Sequence, residues 1–261
     1  MIELPLAALF TGAADLVLVA MGVFARVGAA AFLVPGLGER SLSIRTRLFA
    51  ALGITLILAP MISQFTPEAP RTPVALLSLL LAEAASGLVI GLAFRFLVYA
   101  LQIAGMIAAQ HLSVAQMFGA GVAPEPEPTI ATLLAFGGIV LALMAGLHIH
   151  LVASLAGLYE VLPFGRFPIG SDLADWSVAR FSQTFSLGVT LAAPFVAVGF
   201  AYNLALGALN RAMPQLLVAL VGVPGLVWVG MVVLALVLPA LMDAWTNHLN
   251  RVMTDPLGGV R

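Results

Sequence analysis

The chain has 261 residues, of which 62% are hydrophobic and 9% are charged, and its mean hydropathy is +1.10. Soluble domains are roughly 45–50% apolar and about 25% charged, so the composition excludes a soluble chain and predicts a membrane protein. The net charge of −1 excludes a basic surface for nucleic acid, and the absence of cysteine excludes disulfides and thiol chemistry.

Six apolar runs follow one another along the chain. A hydrocarbon core of about 30 Å requires roughly 20 apolar residues in each helix, and the runs of this length, or nearly so, cover residues 6–35, 48–62, 74–109, 130–158, 181–206 and 215–243. The first residues lack the positive region and cleavage site of a secretory signal, so we expect the first run to remain in the mature protein. The sequence predicts an all-α integral membrane protein with about six long, partly kinked apolar helices, forming a single membrane-embedded domain over residues 1–261.

The charges of two connecting segments predict different sides of the membrane for them. Arg40, Arg45 and Arg47 favour a cytoplasmic position for the first connection. Strict alternation of the spans then places the connection that contains Glu125 and Glu127 on the same side, which fits the positive-inside rule poorly. We therefore expect an arrangement other than a simple serpentine bundle.

Residues 109–129, between the third and fourth runs, form a central segment that contains two glycines and three alternating prolines. Alternating prolines prevent a continuous helix, and irregular backbone beside a span is tolerated where it is buried in protein or lines a water-filled cavity. We predict that this segment is a plug that closes a pore, and a disordered surface loop is the alternative. The predicted plug residues are Gln110, Ser113, Gln116, Met117, Phe118 and Gly119.

Four charged residues lie within or beside the apolar runs, namely Asp15, Arg26, Glu83 and Arg95. Charges inside a membrane are costly and usually face a partner, the protein interior or water. Asp15 and Arg26 are about 16 Å apart along one helix axis, which is too far for a direct pair. We favour ion pairing between helices or between subunits, and the alternative is a proton or ion relay.

The sequence offers little support for catalysis or metal binding. His148 and His150 point about 200° apart on a helix, so they cannot share one metal ion. No serine lies in a nucleophile-elbow motif. We therefore predict no catalytic residue, no metal site, no cofactor and no enzymatic activity.

Small residues mark helix surfaces that allow close packing. Gly87 and Gly91 form a G-x-x-x-G pattern in the third run, and such surfaces allow helix backbones to approach each other in a membrane. Pro214 suits the first turn of the last helix, and Gln215 follows it. We predict packing roles for these four residues in a tightly assembled complex.

Four stretches occur in a characteristic order along the chain. They are Phe24-Ala25-Arg26-Val27-Gly28 with Pro35-Gly36-Leu37-Gly38; Ala104-Gly105, Gln110 and Met117 with Glu125-Pro126; Gly146-Leu147-His148 with Leu162-Pro163-Phe164-Gly165; and Asn210-Arg211-Ala212-Met213-Pro214-Gln215. Together they resemble the FliR-type (R/T) subunit family of type III secretion export gates, over nearly the whole chain.

This resemblance implies a structural subunit that assembles with P-type and Q-type export gate subunits and with switch and export-apparatus membrane proteins. It implies that the helices form no ordinary six-helix bundle, that the central segment is the plug of the gate, and that unfolded export substrates pass through the assembly. The implied location is the bacterial inner membrane, at the flagellar basal body.

Two other functions remain open from the sequence. A small secondary transporter requires interrupted helices in matching positions of two halves, and Pro194 and Pro224 lie within the last two runs. An intramembrane enzyme is the third possibility, and it lacks the catalytic motifs considered above.

Overall fold

The computed structural model describes residues 6–63, 72–112, 129–212 and 218–258. Within these ranges every regular element is a helix, which confirms the predicted all-α membrane fold. The helices are α1 (Leu6–Leu33), α2 (Ile44–Ile62), α3 (Pro73–Leu112), α4 (Thr129–Met144), α5 (Leu147–Val161), α6 (Gly170–Ala212) and α7 (Val218–Thr254).

The starts of α2 and α3 follow from local sequence. The Ser43 hydroxyl accepts a hydrogen bond from the backbone N–H of Thr46 at 3.2 Å, which caps α2. The Thr72 hydroxyl accepts from the N–H of Ala75 at 3.2 Å, and Pro73 occupies the first helical position, where its missing N–H has no cost.

The fourth apolar run differs from its prediction. Residues 130–158 were expected to form one helix, but the structure divides this stretch into α4 and α5 at Ala145 and Gly146. The physical reason is the backbone of Gly146, whose φ of +86° belongs to the left-handed region and interrupts the helix. Among the described residues, five helices are long and apolar enough to cross a membrane, or six if α4 and α5 count as one broken span.

Three helices are longer than one bilayer crossing requires. α3, α6 and α7 contain 40, 43 and 37 residues, which corresponds to about 55–65 Å at a rise of 1.5 Å per residue. α6 also continues beyond the end of the fifth apolar run, at residue 206, to Ala212. Because a hydrocarbon core is about 30 Å thick, these helices tilt strongly or extend beyond it.

The described residues form two compact units. The first unit comprises Met1–Arg95, Leu143–Arg180 and Arg251–Arg261, and the second comprises Phe96–Ala142 and Phe181–Asn250, each without its undescribed residues. The second unit is built around Trp245, which is fully buried and whose indole N–H donates to the carbonyl oxygen of Leu97 at 2.9 Å. Whether residues 1–261 act as a single domain stays a prediction.

In the first unit, α1 and α3 cross with their backbones in contact at two glycines. A Cβ atom at Gly87 would overlap the carbonyl oxygen of Arg26, and one at Gly91 would lie 2.9 Å from the carbonyl oxygen of Ala30. Glu83 lies one turn before Gly87, so it shares the same surface of α3. The glycine contact therefore brings Glu83 close to the helix that carries Arg26.

We expect Gly87→Ala to lower the free energy of unfolding by roughly 1–3 kcal/mol, because a methyl group there would push two helix backbones apart. The matched control is Gly28→Ala on α1, since a Cβ atom at Gly28 would meet nothing within 4 Å. This control should be neutral or slightly stabilising. Unfolding of the purified variants by SDS in mixed micelles measures both effects, and equal stability of the two variants would contradict the close crossing.

A buried ion-pair cluster as the candidate functional site

Arg26 of α1 and Glu83 of α3 form a bidentate ion pair inside the first unit. The Arg26 Nε atom lies 2.9 Å from Glu83 Oε2, and Arg26 Nη2 lies 3.0 Å from Glu83 Oε1. Both side chains are 0% exposed. Two parallel hydrogen bonds of this kind fix the relative orientation of the two groups as well as their distance.

The carboxylate of Glu83 accepts two further hydrogen bonds. The Tyr159 hydroxyl of α5 donates to Oε2 at 3.2 Å, and the backbone N–H of Gly165 donates to Oε1 at 2.7 Å. An ionised carboxylate has about four lone-pair positions, so the four donors satisfy Glu83 completely. A buried charge is tolerated when it is paired and hydrogen-bonded in this way.

The guanidinium group of Arg26 also contacts Tyr159 and the segment that follows α5. Arg26 Nη2 donates to the carbonyl oxygen of Leu162 at 3.1 Å, and the guanidinium carbon lies 3.7 Å from the centre of the Tyr159 ring. The remaining nitrogen, Nη1, is buried and has no hydrogen-bond partner in the described part of the chain. Within the described residues, the Glu83 carboxylate therefore has all of its hydrogen bonds, whereas the Arg26 guanidinium lacks one.

The cluster fixes the segment that follows α5. This segment, residues 162–165, contributes the Leu162 carbonyl and the Gly165 N–H, and its Phe164 ring stacks on Tyr159 with 6.2 Å between ring centres. A Cβ atom at Gly22 would lie 2.5 Å from the Phe164 ring, so a glycine is needed there to admit the ring. Gly165 has a φ of +74°, which favours glycine.

Sequence reasoning missed Tyr159 and the segment after it. One signal was present, because a tyrosine at the end of an apolar run needs a hydrogen-bond partner for its hydroxyl when it is buried. The backbone N–H of Gly165 left no comparable signal, since any residue other than proline provides that donor.

A second ion pair joins the first connection to α3. Arg95 Nη1 lies 2.5 Å from Glu39 Oε1, with the two side chains 17% and 29% exposed. Arg47 adds two bonds to this connection, from Nε to the carbonyl oxygen of Leu37 at 2.9 Å and from Nη2 to that of Glu39 at 3.2 Å. These contacts fix residues 37–39 against the first turn of α2 and the middle of α3.

The four charged residues predicted to lie within or beside the apolar runs differ in their contacts. Arg26 and Glu83 contact each other, Arg95 contacts Glu39, and the side chain of Asp15 lies outside the described residues. Because Glu83 is inaccessible to water and has four donors, its geometry favours a structural role over a proton or ion relay. Among the described residues, no group of three His, Cys, Asp or Glu side chains is placed to hold a metal ion.

Most of the predicted plug lies outside the described residues. Gln110 is exposed near the end of α3. The plug assignment stays a prediction, as do the packing roles of Pro214 and Gln215. The residues outside the described ranges are Ser113, Gln116, Met117, Phe118, Gly119, Pro214 and Gln215.

Comparison with known proteins assigns the family. The sequence profile of bacterial export proteins, family 1, matches residues 17–252. The chain belongs to this family. Flagellar biosynthetic protein FliR of Caulobacter vibrioides is 34% identical over 238 residues, which cover 91% of this chain and 95% of the relative.

Two other flagellar biosynthetic proteins show a similar match. FliR of Aquifex aeolicus is 31% identical over 219 residues, covering 83% of this chain and 84% of the relative. FliR of Escherichia coli is 29% identical over 227 residues, covering 86% and 85%. These findings confirm the resemblance drawn from the sequence motifs, and they support a role in flagellum biogenesis and protein export as a structural, multi-pass membrane component of an export apparatus.

We expect Glu83→Gln to lower the free energy of unfolding by about 3–5 kcal/mol, because it leaves a buried guanidinium without its counter-charge. Arg26→Met should cost less, since Glu83 keeps the Tyr159 and Gly165 donors and a carboxyl can take up a proton, whereas a guanidinium cannot lose one. SDS-driven unfolding of the purified variants measures both losses.

The double variant Arg26→Met/Glu83→Gln should lose less stability than the two single losses added together, by roughly 1–3 kcal/mol. Arg166→Met, at an exposed arginine of the same unit, is the matched control and should change stability little. If the double variant instead loses the sum of the two single losses, Arg26 and Glu83 stabilise the fold independently, and the ion pair between them contributes nothing.

Proposed function

We propose that this chain is a structural subunit of the flagellar type III export gate. In this proposal it forms, with P-type and Q-type subunits, the channel through which unfolded export substrates cross the bacterial inner membrane. The observation that supports it best is the extent of the match to flagellar FliR of Caulobacter vibrioides, which covers 91% of this chain and 95% of the relative.

The surface of the chain supports assembly with other membrane subunits. Within the most apolar 18-residue stretches of Ile44–Ile62 and Trp228–Thr254, only 22% and 17% of the residues are buried inside the chain, and large apolar side chains such as Trp228 and Leu236 are exposed. Isolated apolar side chains on a surface are ordinary, but contiguous exposed apolar helices indicate contact with lipid or with other proteins. We infer that neighbouring subunits cover a part of this surface.

The broken pair α4–α5 supports the same inference. Backbone groups left unpaired by a helix break are costly in hydrocarbon and are tolerated where protein or water covers them. Around Gly146 the exposed side chains include Met144 at 79% and Ile149 at 65%. The imidazole of His148 is also exposed there, and a surface that mixes apolar side chains with an imidazole suits a protein neighbour better than lipid alone, so we infer that another protein chain covers this break.

We further propose that the central segment, residues 109–129, is the plug of the gate. It connects α3 to α4, and its glycines and alternating prolines suit an irregular backbone that other subunits surround. Gln110, exposed near the end of α3, would be the first polar side chain of this plug.

Purification from native membranes tests the assembly. We expect a tagged chain to co-purify in a large complex with other small membrane proteins, because its exposed apolar helices need partners besides lipid. Arg26→Ala and Glu83→Ala should both reduce the amount of this complex. A monodisperse monomer or dimer that transports a small solute would instead identify a secondary transporter and overturn the gate assignment.

Deletion of residues 113–121 tests the plug. We expect the deleted chain to assemble normally but to make the membrane permeable to small ions, because a pore would lose the segment that closes it. Ion conductance of the complex in planar bilayers is the measurement. A glycine–serine replacement of equal length is the control for loop length and should leak less than the deletion. Conductance of the deletion equal to that of the wild type would show that another segment closes the channel.

A further inference from the structure

A cavity of about 360 Å³ lies in the first unit, between the end of α5 and the start of α6. Its floor, the buried part of the lining, consists of Val89 of α3, Trp176 of α6 and Leu257 after α7, which are at most 7% exposed. Its rim, the exposed part of the lining, includes Phe167 at 57% and Ile169 at 67%. Pockets with apolar walls and a volume of roughly 300–1,000 Å³ are typical binding sites.

Hydrogen bonds fix the wall of the cavity that follows α5. The carbonyl oxygen of Leu162 accepts from Arg26 Nη2 at 3.1 Å, and the backbone N–H of Arg166 donates to the carbonyl oxygen of Pro163 at 3.2 Å. Leu162, Pro163 and Arg166 all line the cavity. This wall therefore cannot move inward without losing a bond to the buried ion-pair cluster.

A second set of hydrogen bonds holds Leu257 in place on the floor. Arg180 Nη2 donates to the carbonyl oxygens of Asp255 and Pro256, each at 3.2 Å, and Asp255 Oδ1 accepts from the backbone N–H of Gly258 at 2.7 Å. Atoms beside a void lose contacts on one side, so loosely held walls would close it. Because both sides of this cavity are bonded in place, it is pre-organised for an occupant.

The charged side chains around the cavity have no partner of opposite charge in the described part of the chain. Arg166 and Asp172 line the cavity and are exposed, and the ion pairs found there join other residues. Asp175, one turn after Asp172, and Glu160, next to Val161 of the rim, are also exposed. Three acids and one base give the surroundings of the cavity a net negative charge.

The charge and the apolar floor together favour a segment of another protein over lipid. The phosphate of a phospholipid would lie beside Asp172, which repels it. An apolar centre with a charged rim is the anatomy of a protein–protein contact, in which an apolar side chain that fills a central pocket contributes much of the binding energy. The net negative charge selects a segment that carries a cation.

We propose that a neighbouring protein subunit inserts one large apolar side chain into this cavity and places a lysine or arginine of the same segment beside Asp172. The apolar side chain packs against Val89, Trp176 and Leu257, and the cation pairs with the carboxylate at the rim. This contact rests on the proposed assembly with other membrane subunits, and it specifies the chemistry of one interface within that assembly.

Site-specific photo-crosslinking in native membranes tests this contact. p-Benzoylphenylalanine replaces Ile169 at the rim, the complex is purified after irradiation, and mass spectrometry maps the adduct. We expect the adduct on another subunit, at or next to a large apolar residue with a lysine or arginine within about four positions. The same photo-reactive residue at Val178, which is 70% exposed on α6 and does not line the cavity, is the control and should label other residues.

Two variants of the chain with the photo-reactive residue at position 169 separate the apolar and the ionic parts. Leu173→Trp places an indole in the cavity and should lower the adduct yield by roughly tenfold or more, because the central apolar contact is lost. Asp172→Asn should lower it by about two- to fivefold, as expected for an exposed ion pair. Val178→Trp adds the same indole outside the cavity and should leave the yield unchanged.

Exchange of the two charges tests the pairing itself. Asp172→Lys should lower the yield more than Asp172→Asn, and glutamate in place of the mapped cation of the partner should restore most of it. Lack of restoration would overturn the pairing. An adduct on lipid, on residues 259–261 of this chain, or on a segment without the apolar residue and the cation would overturn the proposal.

The same experiment distinguishes this contact from the gate assignment. A chain that purifies without companions would overturn the gate assignment and this contact with it. A normally assembled complex in which position 169 labels no protein would overturn the contact alone.

Discussion

Charge buried between α1 and α3 is stable only while Arg26 and Glu83 remain within hydrogen-bond distance, and this condition fixes the spacing of the two helices. Taking two ions out of water costs several kcal/mol each, and a lipid environment offers no water to replace a lost partner. The glycine at position 87 allows the helices to approach closely enough for the pair to form. The close crossing and the ion pair therefore depend on each other, because the approach at Gly87 sets the distance that the pair requires.

The same pair extends its effect to the end of α5. Glu83 accepts from Tyr159 and from the backbone of Gly165, and Arg26 donates to the carbonyl oxygen of Leu162. A connecting segment that would otherwise move independently is thus bonded to two helices. Buried polar groups of this kind are weak evidence for net stability but can favour one arrangement over its alternatives. For a subunit that must fit against neighbours, one fixed arrangement of the first unit lowers the entropic cost of assembly.

The sequence predicted the features that depend on local composition. Apolar runs of sufficient length predicted the helices, and the resemblance of ordered motifs predicted the family that the comparisons confirm. The break at Gly146 was missed because an isolated glycine in an apolar run is compatible with a continuous helix, and only its φ of +86° shows the interruption. The sequence also could not predict that Tyr159 and Gly165 bind Glu83, since they lie 76 and 82 positions from it along the chain. Contacts between distant segments need the tertiary arrangement, which local patterns do not contain.

The first connection shows why a count of charges gave an uncertain topology. The count treats Arg40, Arg45 and Arg47 equally, but Arg47 of α2 is bonded to backbone carbonyls of the connection before it, and Glu39 is paired with Arg95 from α3. Charges used inside the protein contribute little to the interaction with a membrane surface, because that interaction acts on the field that remains outside. The positive charge that remains exposed in this region therefore belongs to Arg40 and Arg45. A topology rule applied to these two residues still favours the cytoplasmic side for this connection, and neither of them contacts an acid in the described part of the chain.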